Sequence, residues 1–441
     1  MSPVRETSSD AVSGTPLKRA LTTPLLYFFI LGDVLGAGVY VLVGQVAADA
    51  GGAVWVPLLI ALLLALLTAA SYAELATKYP KAGGASHYAT KAFGPFAGFV
   101  AGFCMLAAGV VSVAALARGF GGDYLSAFVS LPVGAVAAVF LVLLAALNAR
   151  GIQESTRANA VATVIEVGGL LIVVVLGAWL LLRGDGDLGR LGRLGTPGES
   201  AAGAVLSGSV LAYYSFVGFE TSVNVAEETR DPRRSYPRAL FGALATAGAV
   251  YVLVGIAASA AVPTGRLAAS SGPLLEVVRA AGGVPPRLFS VIALVAVANG
   301  ALLTGIMSSR LAYGMARDGL LPAVLPGRRT PWVAIAATTA LSVVLALTGS
   351  VATLASTLVL LLLVVFFLVN VAVLRLRRDP GTAGHFRAPT VVPVLGAVSC
   401  VVLATRIEAQ VWWRGLVVLG VGAVLGALGH RAARRRRARG G

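Results

Sequence analysis

The chain has 441 residues, of which 57% are hydrophobic and only 12% are charged, and its mean hydropathy is +0.86. This composition excludes one or two soluble globular domains. The formal net charge of +16 would fit a nucleic-acid partner, but the basic residues flank apolar segments. Contact with lipid headgroups is the better interpretation, and no nucleic-acid partner is expected.

Apolar runs of about twenty residues recur along the chain, which is the length that a helix needs to cross about 30 Å of hydrocarbon. They do not alternate in the way that strands of a membrane β-barrel do. The pattern predicts an all-α membrane protein with twelve transmembrane helices. The predicted spans lie near residues 24–47, 54–77, 96–118, 131–148, 158–182, 203–226, 238–262, 287–312, 331–349, 352–374, 391–405 and 412–430.

Twenty-six of the 35 Lys and Arg residues fall on one side of this arrangement. Basic residues are retained in the cytoplasm, so both termini are predicted to be cytoplasmic, as an even number of spans requires. The segment 431–441 follows the last span and is rich in arginine, so it would contact anionic lipids. We expect a multi-pass protein of a bacterial inner membrane, the plasma membrane of the cell.

Residues that could hold a cofactor are few. Cys104 and Cys400 both lie inside predicted spans, which does not suggest a disulfide framework. His87, His385 and His430 form no Cys/His cluster with the spacing of metal ligands. A P-loop motif is also absent. We therefore expect no metal, no cofactor and no use of ATP.

Two spans are interrupted by small and polar residues at corresponding positions. The first, LGDVLGAGVYVLVG, carries Asp33 and the small triplet 36–38, and the sixth, VLAYYSFVGFETSVNVAEE, carries Gly218 and Glu220. The triplet alone would fit a helix-packing seam equally well. The matching interruption in the sixth span favours a ligand site near the bilayer midplane, where unpaired backbone groups need a polar partner.

These positions correspond if spans 1 to 5 and spans 6 to 10 are two repeats. Because five is odd, the second repeat must enter the membrane from the opposite side, which predicts an inverted five-plus-five repeat with broken helices 1 and 6. The predicted division of the chain is a cytoplasmic segment 1–23, a first repeat 24–182, an extracytoplasmic linker 183–202, a second repeat 203–374, helices 11 and 12 with their loop at 375–430, and a basic cytoplasmic tail 431–441.

The ends of a broken helix suit a zwitterion. Free amides at the start of the second half carry the positive end of the helix dipole and suit a carboxylate, while unwound carbonyls suit an ammonium group. Glycine permits strained dihedral angles and lets a ligand approach the backbone closely. An amino acid is therefore the expected ligand.

Four ordered stretches between about residues 20 and 390 resemble a known family. They are GDVLGAGVYVLVGQVA (32–47), SYAELATKYPKAGGASHY (71–88), YSFVGFETSVNVAEETRDPRRSYPRAL (214–240) and SSRLAYGMARDGLLP (308–322). The chain is similar to the amino acid/polyamine/organocation (APC) superfamily of permeases, close to its cationic amino acid transporter branch. This resemblance implies the inverted five-plus-five fold and the transport of amino acids, often together with a proton.

The resemblance also implies a set of substrate-binding residues, namely Val34, Gly36, Ala37, Gly38, Tyr214, Val217 and Gly218. The amides of Ala37 and Gly38 would hold the substrate carboxylate, and the glycine before them would form the break. The carbonyls of Val34, Tyr214 and Val217 would accept hydrogen bonds from the ammonium group. Tyr214 also stands where the family often has an aromatic lid.

Asp33, Glu166 and Glu220 lie well inside predicted spans, where a charged side chain costs about 2.5 to 3.5 kcal/mol on insertion scales. They are the candidates for proton or ion coupling, because burial favours the neutral form that a reversible proton carrier needs. The alternative for each is to brace the broken helices.

Glu166 follows Asn159 at a position where some members of the superfamily carry a lysine that is thought to replace a sodium ion. The charge is reversed here, so the carboxylate could bind a proton or a cation. Proton symport is preferred over sodium, since two interacting acids titrate as a pair.

The sequence therefore predicts a secondary active amino acid permease with proton-coupled uptake by alternating access. An exchanger, a carrier of polyamines or cationic amino acids, and a sensor that does not transport are alternatives on the same scaffold. An enzyme is not expected, because the patterns D-x-x-x-D and H-E-x-x-H are absent. Preference for a substrate side chain would depend on residues of spans 3, 6, 8 and 10 that the sequence does not place.

Overall fold

A computed structural model describes residues 21–80, 83–150, 156–195, 200–317, 320–321, 332–379, 384–422 and 424. Within these ranges the chain is helical and forms no β-strand beyond two isolated bridges. The helices are α1 (Thr23–Val34), α2 (Gly38–Ala50), α3 (Trp55–Lys78), α4 (Gly84–Phe93), α5 (Pro95–Phe120), α6 (Asp123–Ser126), α7 (Val133–Ala149), α8 (Thr156–Leu182), α9 (Ala201–Tyr214), α10 (Pro232–Ala261), α11 (Thr264–Ala269), α12 (Pro273–Ala281), α13 (Pro286–Arg317), α14 (Trp332–Thr348), α15 (Val351–Leu376), α16 (Val391–Ala404) and α17 (Ala409–Gly422), with 3-10 helices at Leu188–Gly192 and Phe219–Glu228.

The described residues include seven helices that are long and apolar enough to cross a membrane, or up to nine if each of two bent pairs counts as one span. Two shorter apolar helices, α7 and α14, accompany them. The all-α, multi-pass architecture is thereby confirmed, while the number twelve stays a prediction. Where the last two spans are predicted, α16 and α17 meet at an angle of 114°.

The first predicted span is divided into α1 and α2, which are bent by 47° relative to each other. The division lies at Leu35, whose φ of −70° and ψ of 51° are those of an inverse γ-turn. The Gly36 N–H accordingly donates to the Val34 carbonyl at 2.7 Å. The φ angle of Gly36 is not positive, and a Cβ there would find its nearest neighbour at 3.6 Å. Gly36 lies inside this break, which spans residues 35–37, and the tight turn within the break is centred on Leu35.

The sixth predicted span changes character at the position where the sequence is interrupted. The α-helix α9 ends at Tyr214, residues 215–218 form turns, and the chain continues as the 3-10 helix Phe219–Glu228. Gly218 has φ +130°, which side chains rarely adopt. At the end predicted to be cytoplasmic, Leu21 exchanges backbone hydrogen bonds of 3.0 Å with Glu228 and Arg230. The start of the first span therefore lies beside the end of the sixth.

A buried ion pair ties α3 to the end of α15. Arg377 donates from Nε and Nη2 to the Glu74 carboxylate at 2.8 and 2.6 Å, and the amide of Ala388 donates to the same carboxylate at 2.9 Å. The hydrogen bonds from this guanidinium to Glu74 raise the pKa of Arg377 above its ordinary value. The contacts hold the segment after α15 against the end of α3.

The opposite end of the bundle is covered by α11 and α12. The turn between them is fixed on Asp123, whose carboxylate accepts from the Ser270 hydroxyl at 2.8 Å and from the amides of Ser271 and Gly272 at 2.8 and 3.2 Å. The segment also lies tightly on α2, since a Cβ on Gly44 would be 2.3 Å from the Leu267 carbonyl oxygen. This cover closes the end that is predicted to be extracytoplasmic.

Candidate functional site

Both interrupted spans border one cavity of about 500 Å³, which lies within the range of about 300 to 1,000 Å³ for small-molecule sites. From these two spans the cavity is lined by Gly32, Asp33, Gly36, Ala37, Tyr214, Val217, Gly218, Glu220, Thr221 and Asn224. The structure thus brings together most of the residues that the sequence singled out.

The remaining walls come from α4, α5, α8, α13 and α15. Three of these, α5, α13 and α15, correspond to predicted spans 3, 8 and 10. They contribute among others Gly109, Ser112 and Leu116 from α5, Asn299, Gly300, Leu303 and Thr304 from α13, and Leu358 and Leu362 from α15. Preference for a substrate side chain was expected to depend on unplaced residues of these spans, and the structure shows which of their residues line the cavity.

The start of α2 offers amides at the cavity. Its N-cap residue, Ala37, makes no capping hydrogen bond with a side chain, and the first amides of a helix have no partner within it. Ala37 lines the cavity, whereas Gly38 lies behind it and is buried. Both amides therefore belong to the positive end of the α2 dipole.

Tyr214 lies over this helix start. A Cβ on Gly38 would be 3.0 Å from the Tyr214 ring carbon Cδ1 and 3.1 Å from the Ser215 Cα, so only a residue without a side chain lets the ring approach this closely. The Tyr214 hydroxyl shares a hydrogen bond of 2.9 Å with the Ser112 hydroxyl of α5. Tyr214 thus bridges from the interrupted sixth span to the opposite wall of the cavity, a position suited to a lid.

Val34, which the resemblance places among the binding residues, is engaged by other parts of the protein in this structure. It is absent from the cavity lining, and its carbonyl oxygen already accepts from the Gly36 amide at 2.7 Å and from the Tyr251 hydroxyl at 2.6 Å. A carbonyl has two lone pairs, so none is left for a substrate ammonium. Binding of a substrate ammonium by Val34 therefore stays a prediction, and it would require one of these two hydrogen bonds to be replaced.

Asp33 joins the two interruptions, and Glu220 is bonded within the second one. The Thr221 hydroxyl donates to the Asp33 carboxylate, and the Gly218 amide donates to the Glu220 carboxylate at 2.9 Å. A Cβ on Gly218 would be 2.6 Å from the Asp33 carbonyl oxygen, so the two spans touch here through their backbones. The hydrogen bonds of these acids favour the bracing role that the sequence left as an alternative.

Glu166 stands in a different environment on α8. Its side chain is 1% exposed, and its Oε1 is buried without a hydrogen-bond partner among the described residues. The Tyr40 hydroxyl of α2 donates to the Glu166 backbone carbonyl at 2.5 Å, which fixes this part of α8 against the broken span. Nearby on the cavity wall, the Asn299 amide donates to the Asn159 side chain at 3.2 Å.

The cavity runs toward the end that is predicted to be cytoplasmic. There it is lined by Gly83, Gly84, Ala85, Ser86, Asn224 and Arg310, which belong to the start of α4, the 3-10 helix and the last third of α13. In the other direction lie the buried residues Tyr40 and Tyr124, where the Tyr124 hydroxyl donates to the Tyr40 carbonyl at 2.7 Å. The cavity lining therefore reaches the end predicted to be cytoplasmic, whereas Tyr40 and Tyr124 are not part of it.

Several residues that line the cavity were not predicted from the sequence, among them Ser112, Thr221 and Asn299. The signal was present, because each is a polar residue within an apolar or interrupted span. It was too weak to use, since serine and threonine inside membrane helices commonly bond to their own helix or to a neighbouring helix.

Comparison with known proteins shows which family the chain resembles. A family model described as "Amino acid permease" matches residues 21–421. An uncharacterized transporter of Mycobacterium tuberculosis is 34% identical over 421 residues, covering 93% of this chain and 90% of the relative. Cationic amino acid transporter 9 of Arabidopsis thaliana is 30% identical over 73% of this chain and 59% of its own length.

A methylthioribose transporter of Bacillus subtilis is also similar, with 25% identity over 95% of each chain. The names of these relatives cover different substrates, but all of them are transporters and not enzymes. The family match extends across nearly the whole chain. This protein therefore belongs to the amino acid permease family of the APC superfamily.

Proposed function

We propose that this protein is a secondary active amino acid permease that takes up its substrate together with a proton by alternating access. The observation that carries the proposal is the cavity of about 500 Å³ bordered by both interrupted spans. Backbone groups left unpaired inside a membrane need a polar partner. A zwitterion meets that need, because its two charges match amides at one interruption and carbonyls at the other.

In this proposal the substrate carboxylate accepts hydrogen bonds from the amides of Ala37 and Gly38 at the start of α2. Its ammonium group donates to the carbonyls of Tyr214 and Val217, where α9 ends. The ring of Tyr214, held over Gly38 and bonded to Ser112, covers the bound molecule. Gly218 keeps the second interruption in contact with the first.

Glu166 is the proposed proton carrier. A buried carboxyl group whose Oε1 has no hydrogen-bond partner among the residues that the structure describes is expected to hold its proton, since an unpaired charge there would be costly. Asp33 and Glu220 are instead engaged at the interruptions. One charge moving through 100 mV yields about 2.3 kcal/mol, which supports roughly fiftyfold accumulation of a neutral substrate at about 1.4 kcal/mol per factor of ten.

The proposal includes the predicted topology of twelve spans, the inverted five-plus-five repeat, two cytoplasmic termini and a place in the bacterial inner membrane. With that orientation, the cavity opens toward the cytoplasm and the cover of α11 and α12 closes the outer side. Release of the turn held by Asp123 and closure around Ser86 and Arg310 would expose the same site to the outside.

Uptake by proteoliposomes tests this function. We expect labelled amino acid to accumulate severalfold when the outside is more acidic than the inside, and a protonophore to abolish the accumulation. An exchanger would show counterflow between labelled and unlabelled amino acid but no accumulation driven by pH. If no amino acid is accumulated or exchanged by protein shown to be inserted and folded, the proposed function is wrong.

A further inference from the structure

The cavity is charged on one side and uncharged on the other. Its acids, Asp33, Glu166 and Glu220, lie on α1, α8 and the 3-10 helix. The wall formed by α5 and α15 presents Ser112, Leu116, Leu358 and Leu362, among other residues that carry no charge. The head of a substrate bound at the interruptions occupies the charged side, so its side chain must extend toward the uncharged side.

Gly300 of α13 lies between the start of α2 and this uncharged wall and is in close contact with both. A Cβ on Gly300 would be 3.4 Å from the Ala37 Cβ and 3.7 Å from Leu116 Cδ1, so these residues meet around one point. Tyr214 reaches the same wall through its hydrogen bond to Ser112. Leu116 and Tyr214 also lie close to Ala355 of α15, one turn before Leu358.

We propose that this wall is a subsite for an uncharged substrate side chain, so that the protein selects neutral amino acids over cationic and acidic ones. The proposal rests on the proposed function and adds the substrate class to it. It differs from the substrate class named for the cationic amino acid transporters among the relatives, which is a property of those proteins. The uncharged subsite is defined here as Ser112, Leu116, Gly300, Leu358 and Leu362.

The subsite offers no partner for a charged side chain. Its aliphatic members are buried, with Leu116, Leu358 and Leu362 between 1% and 4% exposed. Its one hydroxyl, on Ser112, is already bonded to Tyr214. A guanidinium or ammonium group buried there would lose its hydration without gaining an ion pair, and a carboxylate would do the same.

The basic residue of the cavity lies too far away to serve an acidic side chain. Arg310 is ten residues beyond Gly300 on α13, which corresponds to about 15 Å along the helix axis. The acids Asp33 and Glu220 are bonded to Thr221 and to the Gly218 amide, on the side that the substrate head would occupy. Glu166, the third acid, belongs to α8 on this charged side and not to the α5 and α15 wall. A cationic side chain would have to fold back across its own ammonium group to reach them.

Counterflow in proteoliposomes tests the selectivity of the full-length protein. Vesicles loaded with unlabelled alanine are given labelled alanine, and vesicles loaded with arginine are given labelled arginine. Leucine, serine, lysine, glutamate and putrescine serve as competitors. We expect alanine, serine and leucine to compete at least about tenfold better than arginine, lysine, glutamate or putrescine.

If arginine or lysine exchanges as well as alanine or better, the uncharged subsite does not set the substrate class and the inference is overturned, while the proposed function stands. If neither alanine nor arginine is exchanged by folded protein, the proposed function fails and the inference falls with it. The two failures are therefore distinguishable in one experiment.

A substitution in the subsite provides a second test. Ser112→Asp introduces a carboxylate and keeps an acceptor for the Tyr214 hydroxyl, and Ser112→Asn is the uncharged control of nearly equal size. We expect Ser112→Asp, but not Ser112→Asn, to raise the preference for lysine and arginine over alanine at least about tenfold. An equal effect of both variants, or no effect in either, would contradict the placement of the substrate side chain at Ser112. If Ser112→Asp does not reconstitute, the comparison of unlabelled competitors with the unmodified protein still decides the proposal.

Discussion

A Glu166→Gln variant is expected to exchange amino acid across the membrane but to lose pH-driven accumulation. The amide keeps the size of the side chain and cannot release a proton, so substrate movement would no longer be linked to the proton gradient. The accumulation ratio at 100 mV should fall from roughly fiftyfold toward one, which is the full effect of one coupled charge. Uptake and counterflow in the same proteoliposome preparation measure the two activities separately.

The comparison variant is Glu220→Gln, which alters the other fully buried acid of the cavity. Its amide oxygen can still accept the Gly218 N–H that the carboxylate accepts now, so we expect accumulation to be retained. Normal accumulation by Glu166→Gln would exclude the proton role of Glu166. Loss of accumulation in Glu220→Gln alone would move the coupling site to the junction of the two interrupted spans.

Gly218→Ala is expected to reduce transport at least about a hundredfold. The φ of +130° at Gly218 is strained for any other residue, at a cost of about 1 to 3 kcal/mol. The added Cβ would also lie 2.6 Å from the Asp33 carbonyl oxygen, which is backbone and cannot move aside cheaply. Separation of the two spans at this point would displace the proposed ammonium site from the proposed carboxylate site.

Gly36→Ala is the matched control for this prediction. Gly36 also lines the cavity, but its φ is not positive and an added Cβ would find the Asp33 carbonyl oxygen at 3.6 Å, an ordinary contact. We expect transport by Gly36→Ala to stay within about threefold of the unmodified protein. Rates are compared per folded protein, with thermal unfolding in detergent as the check. Equal activity of the two variants would show that the positive φ at Gly218 is not needed for transport.

The location of the site could be predicted because apolar spans tolerate few interruptions. Asp33, Glu220 and Gly218 were recognisable in the sequence, since each breaks a run that would otherwise be a continuous membrane helix. The structure places them together, and the cavity borders all three. Interruption of the hydrophobic pattern is a local property, so the sequence carries it directly.

The details of the site could not be predicted, because they depend on contacts between residues far apart in the chain. Tyr251 occupies the Val34 carbonyl from 217 positions away, and Ser112 bonds to Tyr214 across 102 positions. The distinction between Gly36 and Gly218 depends on backbone angles, which two glycines in similar contexts do not reveal. For the same reason, the sequence indicated that the substrate has the head group of an amino acid, but it did not place the residues that would contact the side chain of the substrate.

Recognition of the substrate head by the backbone of the two interrupted spans is the central feature of the proposed mechanism. Inhibition of labelled alanine counterflow by alanine, alaninamide and N-acetylalanine measures this recognition directly. Loss of a hydrogen bond to a charged group costs about 1.5 to 3 kcal/mol, so each derivative should inhibit at least about tenfold more weakly than alanine. Inhibition by both derivatives at the same concentrations as alanine would contradict the account, because neither charged end of the substrate would then be bound.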